Sequence, residues 1–321
     1  MNQSTRSKEI HLFLKNCNLS QYDLLALKQD ASHRKYFRLV NDNKSLILMD
    51  CPPSSDSVIP FITATKFLSK HNFSVPNIYY QNVKQGLLIL EDFGDNSFNN
   101  YLQKHPKKTD IIYKLALDNL IKLSQQKSTE DFPIHSKDEL IRGIKTFNKY
   151  FLNINNNKFE ELSNKLFTQL NYQEKHLSFR DFHADNLIYL TNRNDYMQIG
   201  LLDYQDISHG FISYDLLSLI QDARRFIPLR LQKELLNYFL KNLKYQDKSY
   251  FLKEYSILSF QRNCRIIGLF NKFYIDNNNS SYLKYLDNIF KNLKNNLENE
   301  YLREVRDYLI SNSIKIRKIV E

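Results

Sequence analysis

The sequence predicts an α+β fold, a small antiparallel-sheet lobe followed by a larger helical one. Three observations predict it. Short strand-like runs crowd the first third of the chain, helical spacing of apolar residues takes over after residue 92, and no internal repeat or low-complexity linker interrupts the change. With 42% hydrophobic and 25% charged residues in 321, the chain can bury a substantial core, and wholesale disorder is excluded.

Residues 5–18 read as a helix with Ile10, Phe13, Leu14 and Cys17 on one side. Strands at 24–28 and 36–40 flank the polar segment Asp30-Ala31-Ser32-His33-Arg34-Lys35, and a third at 46–49 is ended by Cys51-Pro52-Pro53. A helix over 58–71 is stopped by Val75-Pro76. Strands at 78–81 and 86–90 follow, with Gly86 near their turn, and the first lobe closes near Asp92. This divides the chain into 1–92 and 93–321. In the second part Ile112, Ala116, Leu120 and Leu123 step by 4, 4 and 3 along one helix face, and Leu140, Ile144, Phe147 and Phe151 by 4, 3 and 4. Short strands at 187–190 and 199–202 interrupt the helices, which resume beyond Ser213 and run to the tail at 301–320. The asparagine-rich stretches 153–157 and 277–279 read as surface loops.

A net charge of +10 raises the question of nucleic acid or an anionic membrane as partner. No dense basic run with interleaved aromatics supports it, the nearest being 315–318 in the tail, so lysines spread over solvated positions account for the balance. No nucleic-acid partner is expected. Cys17, Cys51 and Cys264 are far apart and show neither C-x-x-C nor zinc spacing, as for free thiols in a reducing compartment. Residues 1–8 are polar, and no apolar run approaches the roughly 18 residues of a membrane span. The expectation is a cytoplasmic protein without membrane contact, monomeric or weakly dimeric.

The chemistry is concentrated in Phe179-Arg180-Asp181-Phe182-His183-Ala184-Asp185-Asn186 and in Leu202-Asp203-Tyr204-Gln205-Asp206. Transfer of a phosphoryl group needs a base or orienting group for the acceptor hydroxyl, and metal ions to bridge the phosphates. Magnesium takes oxygen ligands and usually only one or two carboxylates from protein. Asp181 lies five residues before Asn186, so one loop can present base and ligand together. Asp203, 17 residues further on, ends the next strand and completes the set, with a hairpin over 187–202 to bring it back. An Asp-x-x-x-x-Asn pair alone recurs by chance in an asparagine-rich chain; the added aspartate, the strands and the upstream lobe make the combination specific.

At these residues the chain resembles the aminoglycoside-phosphotransferase-like kinases. Arg180-Asp181-Phe182-His183-Ala184-Asp185-Asn186 is similar to their H-x-D-x-H-x-x-N loop, with Phe179 where the first histidine usually stands. A branch of bacterial sugar kinases of cell-wall recycling, acting on N-acetylmuramate and N-acetylglucosamine, is closer still. It shares Asp203-Tyr204-Gln205-Asp206, Gly210, Tyr214-Asp215-Leu216, Gln221-Asp222-Ala223, Gln261-Arg262 and Gly268. The segments 30–37, 48–53 and 88–95 are similar too, so the resemblance covers about residues 20 to 275.

The resemblance implies a protein-kinase-like fold that binds ATP and Mg2+, with 1–92 as nucleotide-binding lobe and 93–321 as catalytic and substrate lobe. Asp181 would be the base, and Asn186 and Asp203 the metal ligands. The backbone at Leu90, Glu91 and Asp92 would meet adenine, and Ala31, Ser32, His33 and Arg34 would cover the phosphates. Asp215 would brace the catalytic loop. The implied acceptor is the anomeric hydroxyl of an amino sugar. Another small-molecule kinase of the superfamily, acting on choline or an aminoglycoside, and an inactive nucleotide-binding scaffold are the rivals. Arg180, His183 and Asp206 are candidates for substrate contact. His183 could equally be held by loop backbone, and Asp206 could cap a helix. Arg224, Arg225 and Arg262 either meet a substrate carboxylate or lie on the surface.

Two departures stand out. Protein kinases carry a lysine on the third strand and a glutamate on the following helix. Here the strand ends in Met49-Asp50, and the helix over 58–71 has no glutamate. The sugar-kinase branch shares this Met-Asp pair, and Arg34, Lys35 or Arg38 is expected to supply the missing charge. No glycine occurs from Asp30 to Arg38, so Ala31 and Ser32 must allow any close approach to phosphate.

Overall fold

The computed structural model describes residues 3–27, 34–42, 44–54, 56–128, 130–172, 176–243 and 247–320. It divides into two compact units, one of residues 1–104 with 185–206, the other of 105–184 with 207–321.

The first unit opens with helix α1 (Gln3–Asn16) and strands β1 (Asp23–Ala26), β2 (Lys35–Asn41) and β3 (Lys44–Asp50). Helix α2 (Ile59–Lys70), strands β4 (Ile78–Asn82) and β5 (Leu87–Glu91) and helix α3 (Phe98–Lys104) follow. The five strands form an antiparallel sheet of order β1-β2-β3-β5-β4. Side chains alternate across it. Leu39, Leu48, Leu87 and Ile89 turn to one face and pack with Ile10, Phe13 and Leu14 of α1. Tyr36, Arg38, Ile47 and Leu90 turn to the other and line a cavity. The register pairs Ile47 with Leu90 and Leu48 with Ile89, so the two apolar sets stay on their own faces.

Proline at the start of α2 suits a first turn that has no hydrogen bond to lose. The helix ends at Lys70, before the expected Val75-Pro76 stop, because Asn72 takes a left-handed φ of 63° and Phe73 N bonds back to the Leu68 carbonyl at 3.0 Å. Gly86 has φ +65°, and a Cβ there would come 1.9 Å from the Cys51 carbonyl oxygen, so glycine is required where β5 begins. The hairpin of β7 (Leu187–Tyr189) and β8 (Ile199–Leu201) belongs to this unit. Leu201 N donates to the Ser74 carbonyl at 2.8 Å and Tyr189 N to that of Asn96 at 2.8 Å.

The second unit comprises α4 (Thr109–Ser124), α5 (Lys137–Phe147), α6 (Lys158–Phe167), β6 (His176–Ser178), β9 (Ser208–Gly210), α7 (Ile212–Ile220), α8 (Leu229–Asn242), α9 (Lys248–Asn277), α10 (Leu286–Leu297), α11 (Arg303–Asn312) and α12 (Ile314–Val320). Its core gathers Leu140, Ile144 and Phe147 of α5, Ile257, Phe260 and Cys264 of α9, and Leu293 and Leu297 of α10. Ser136 caps α5, with Glu139 closing the reciprocal bond of a capping box. The face expected to run to Phe151 is broken by one π turn at Asn148–Leu152, which stacks Phe151 on Phe147 at 5.2 Å. Gly268 lets α9 pass close to α5, since a Cβ there would lie 2.6 Å from the backbone of Phe147. All three cysteines are free and buried. Among the described residues no helix is long and apolar enough to cross a membrane.

Candidate active site

The first unit holds a cavity of about 310 Å³. Leu27, Ile47 and Leu90 form an apolar part, while Arg34, Tyr36, Asn186 and Asp203 bring polar groups into the same space. Such a mixture of apolar walls and a few convergent polar groups suits a small ligand. Arg34 lies 2.8 Å from Asp56. Arg38 is committed to the strand end, with its Nε 2.7 Å from Asp92 and its Nη2 2.9 Å from Asp95. Glu91 is likewise occupied by Arg193 at 2.9 Å and Asn77 at 2.8 Å. The side chains of Glu91 and Asp92 are therefore spent on ion pairs, while both residues line the cavity beside Leu90. Ala31, Ser32 and His33 lie outside the described residues.

The Met-Asp departure has a structural account. Asp50 is not among the residues lining the cavity. It sits on the opposite face of β3, 3% exposed, where Arg6 of α1 donates to it at 2.6 and 2.9 Å. The repulsion expected of an acidic residue at this place does not arise, because strand alternation turns Asp50 away and an arginine neutralises it. Of the three basic residues considered as replacements, Arg34 and Arg38 line the cavity and Lys35 does not.

Asn186 and Asp203 line the cavity together, Asn186 half-buried at the end of a short 3-10 turn and Asp203 exposed just beyond β8. The amide of Leu202 donates to the Asn186 carbonyl at 2.9 Å and ties the two segments. Asp203 has φ 53°, and Gln205 Nε2 donates to its Oδ1 at 2.8 Å and to Asp206 at 3.4 Å. Asp206 thus sits in a turn and caps no helix. Tyr204 is buried, stacked on Phe61 at 5.1 Å with its hydroxyl 2.8 Å from that of Thr65. Burial first, and the charge of Asp203 next, push the Tyr36 hydroxyl up to about 12, so it stays a neutral donor.

Asp181 belongs to the second unit, where its loop is anchored by two buried aspartates. The carboxylate of Asp215, fully buried on α7, accepts from Phe179 N at 2.6 Å and Arg180 N at 2.7 Å. Asp222 accepts from Ala184 N at 3.0 Å. His183 N donates to the Asp181 carbonyl at 3.0 Å. Arg180 has φ 70°, and its side chain lies 3.5 Å from Glu139. Burial raises the Asp215 carboxyl to about 7, against the bonds from Phe179 and Arg180 that lower it. Arg262 is buried rather than on the surface, donating to Ser218 Oγ at 3.2 Å and the Gln221 carbonyl at 3.0 Å. Arg224 and Arg225 are half-buried. No role was expected for Asp222, Gln205 or Tyr36; the only signal for them was their place in runs that resemble the sugar kinases.

The chain is similar to curated proteins over nearly its whole length. It is 25% identical over 323 residues to the N-acetylmuramate/N-acetylglucosamine kinase of Pseudomonas aeruginosa, covering 92% of this chain and 93% of that protein. With the protein of the same name from Caulobacter vibrioides it shares 23% over 312 residues, covering 83% and 85%. The crystal structure of ADP-bound aminoglycoside phosphotransferase APH(2'')-Ib superposes with a TM-score of 0.62 at 14% identity, covering 91% of this chain and 98% of that one. A choline/ethanolamine kinase family protein from Mesorhizobium loti does so with 0.62 at 13%, covering 94% and 99%. These structures share the expected protein-kinase-like α+β fold. A model of the phosphotransferase enzyme family matches residues 23–249, and the chain belongs to that family.

Proposed function

We propose that the protein is a cytoplasmic kinase that transfers the γ-phosphoryl group of ATP, with Mg2+, to the anomeric hydroxyl of an amino sugar, N-acetylmuramate or N-acetylglucosamine. The carrying observation is that Asn186 and Asp203 line one cavity with Leu90, Glu91 and Asp92. The sugar is taken from the four relatives that bear its name. A carboxylate and an amide oxygen form a hard donor set of the kind magnesium accepts, with water completing its shell. Asn186 and Asp203 would hold the ion, which would supply positive charge against the phosphates of the nucleotide.

The remaining work falls to the chain's own groups. Residues 1–92 supply the nucleotide-binding surface: Leu27, Ile47 and Leu90 face the base, the backbone at 90–92 offers it hydrogen bonds, and Arg34 brings positive charge to the phosphates. Asp181, in the 93–321 part, accepts the proton of the acceptor hydroxyl. An anomeric hydroxyl is more acidic than an ordinary alcohol, so a carboxylate of ordinary basicity suffices. Asp215 and Asp222 hold the loop that carries it.

The test is ADP release from Mg-ATP with a panel of amino sugars, choline and aminoglycosides. Turnover is expected on an amino sugar, falling about 10²- to 10⁴-fold in Asp181→Asn. ATP binding without turnover on any acceptor would leave a nucleotide-binding scaffold and end the kinase reading.

A further inference from the structure

The second unit contains a cavity of about 180 Å³ walled by α8, α9 and α10. It shares no lining residue with the cavity of Asn186 and Asp203, and neither Asp181 nor the rest of the 179–186 loop lines it. Its character comes from six carboxamides, on Gln221, Gln232, Asn292, Asn295, Asn296 and Asn299. Leu229 and Leu236 of α8 add an apolar wall. Among the described residues no carboxylate lines it, and its one charged residue, Lys233, is exposed.

The amides satisfy one another only in part. Gln232 Nε2 donates to Asn292 Oδ1 at 3.2 Å, and Asn296 Nδ2 to the Ser256 carbonyl at 3.1 Å. Asn292 Nδ2 and Asn296 Oδ1 are left buried with no hydrogen-bond partner, on residues 4% and 9% exposed. Four residues apart on α10, they share one face of the helix. Buried polar groups are normally satisfied, so an unused donor beside an unused acceptor calls for a ligand group that both accepts and donates. A hydroxyl does this, and so does an acetamido group. The space equals that of about six water molecules at ~30 Å³ each, more than one or two bridging waters fill.

We propose that this cavity is a second ligand site, which takes an uncharged, hydroxyl-rich small molecule of the amino-sugar kind. Carboxamides suit the polar rim of a sugar ring and leucines its C–H faces, the mixture of a few polar groups and apolar wall that small-ligand sites show. With no carboxylate the cavity has nothing to hold a cation, and one exposed lysine is a poor match for a phosphate. The site does not depend on the kinase reading.

The chain contains no tryptophan, so Leu229→Trp, at a half-exposed lining position, places the only indole in this cavity. Its fluorescence is followed while N-acetylglucosamine is added without nucleotide. A saturable change is expected, with a dissociation constant raised at least about tenfold by Asn292→Leu, which removes the buried donor. Asn295→Phe fills the cavity from an exposed position and is expected to weaken binding as much without disturbing the core. Acceptor kcat and KM should stay within about twofold in both variants. No saturable change, as in a crevice that holds water alone, overturns the site. So does a change that neither substitution weakens, or one that inorganic phosphate reproduces at the same concentrations. An acceptor KM that rises with the dissociation constant in both variants would make the cavity the acceptor pocket and overturn a second site. If the cavity binds the probe while wild type turns over no acceptor, the site stands and the kinase reading falls.

Discussion

Arg180 and Asp203 both hold left-handed backbone conformations, φ 70° and 53°. For residues with a Cβ this costs about 1–3 kcal/mol, which the surroundings must offset. At Asp203 the amide of Gln205 holds one carboxylate oxygen. At Arg180 the offset comes from Asp215, whose two oxygens each take one backbone N–H. An asparagine can accept at only one of these places, so Asp215→Asn is expected to lower kcat at least about tenfold by loosening the loop, with little change in nucleotide affinity. Its effect on stability runs the other way with pH. The folded carboxyl is raised to about 7, mainly by burial, so its contribution is full below the unfolded value near 4 and is lost as pH rises through 7. Relative to wild type, Asp215→Asn should therefore gain on the order of a few kcal/mol between pH 4 and pH 7, measured by denaturant unfolding at both ends. A constant difference would mean that Asp215 stays ionised throughout.

Strand β3 shows how an element decides what a residue can do. Ile47 faces the cavity and Asp50 faces α1, a distinction that follows from alternation once β5 fixes which side is which. The Arg6–Asp50 pair then clamps α1 to the sheet. Arg6→Ala leaves Asp50 buried without its cation and is expected to cost about 3–5 kcal/mol by chemical denaturation, partly recovered by adding Asp50→Asn. ATP kinetics should be far less affected, since neither residue lines the cavity; a large rise in the ATP constant would contradict the assignment of faces. Most long elements were legible because apolar residues recur at helical or strand spacing. The three-residue strands β6 and β9 were not, since they are too short to show a period and pair across residues 176–178 and 208–210. Helices α3 and α6 were also missed, being short and rich in polar side chains.

For the molecule as a whole, ligand binding and folding are linked. A ligand at 100 times its dissociation constant stabilises the state that binds it by about 2.7 kcal/mol. Mg-ADP is expected to raise the Tm by a few degrees and EDTA to cut that gain. In Asn186→Ala with Asp203→Ala the magnesium-dependent part should vanish while the part due to ADP alone remains. A Tm shift indifferent to EDTA in wild type would remove the two residues from the metal's shell. The residues proposed to carry the chemistry could be picked out along the chain, because Asp181 and Asn186 lie five residues apart and Asp203 follows one hairpin later. The family resemblance was readable for the same reason. Tertiary structure alone decided that Ser74 pairs with the β8 hairpin, 123 residues separating it from Met197, and that Asp50 belongs to Arg6. Burial and ion pairing depend on which distant segments meet, and one-dimensional spacing does not contain that information.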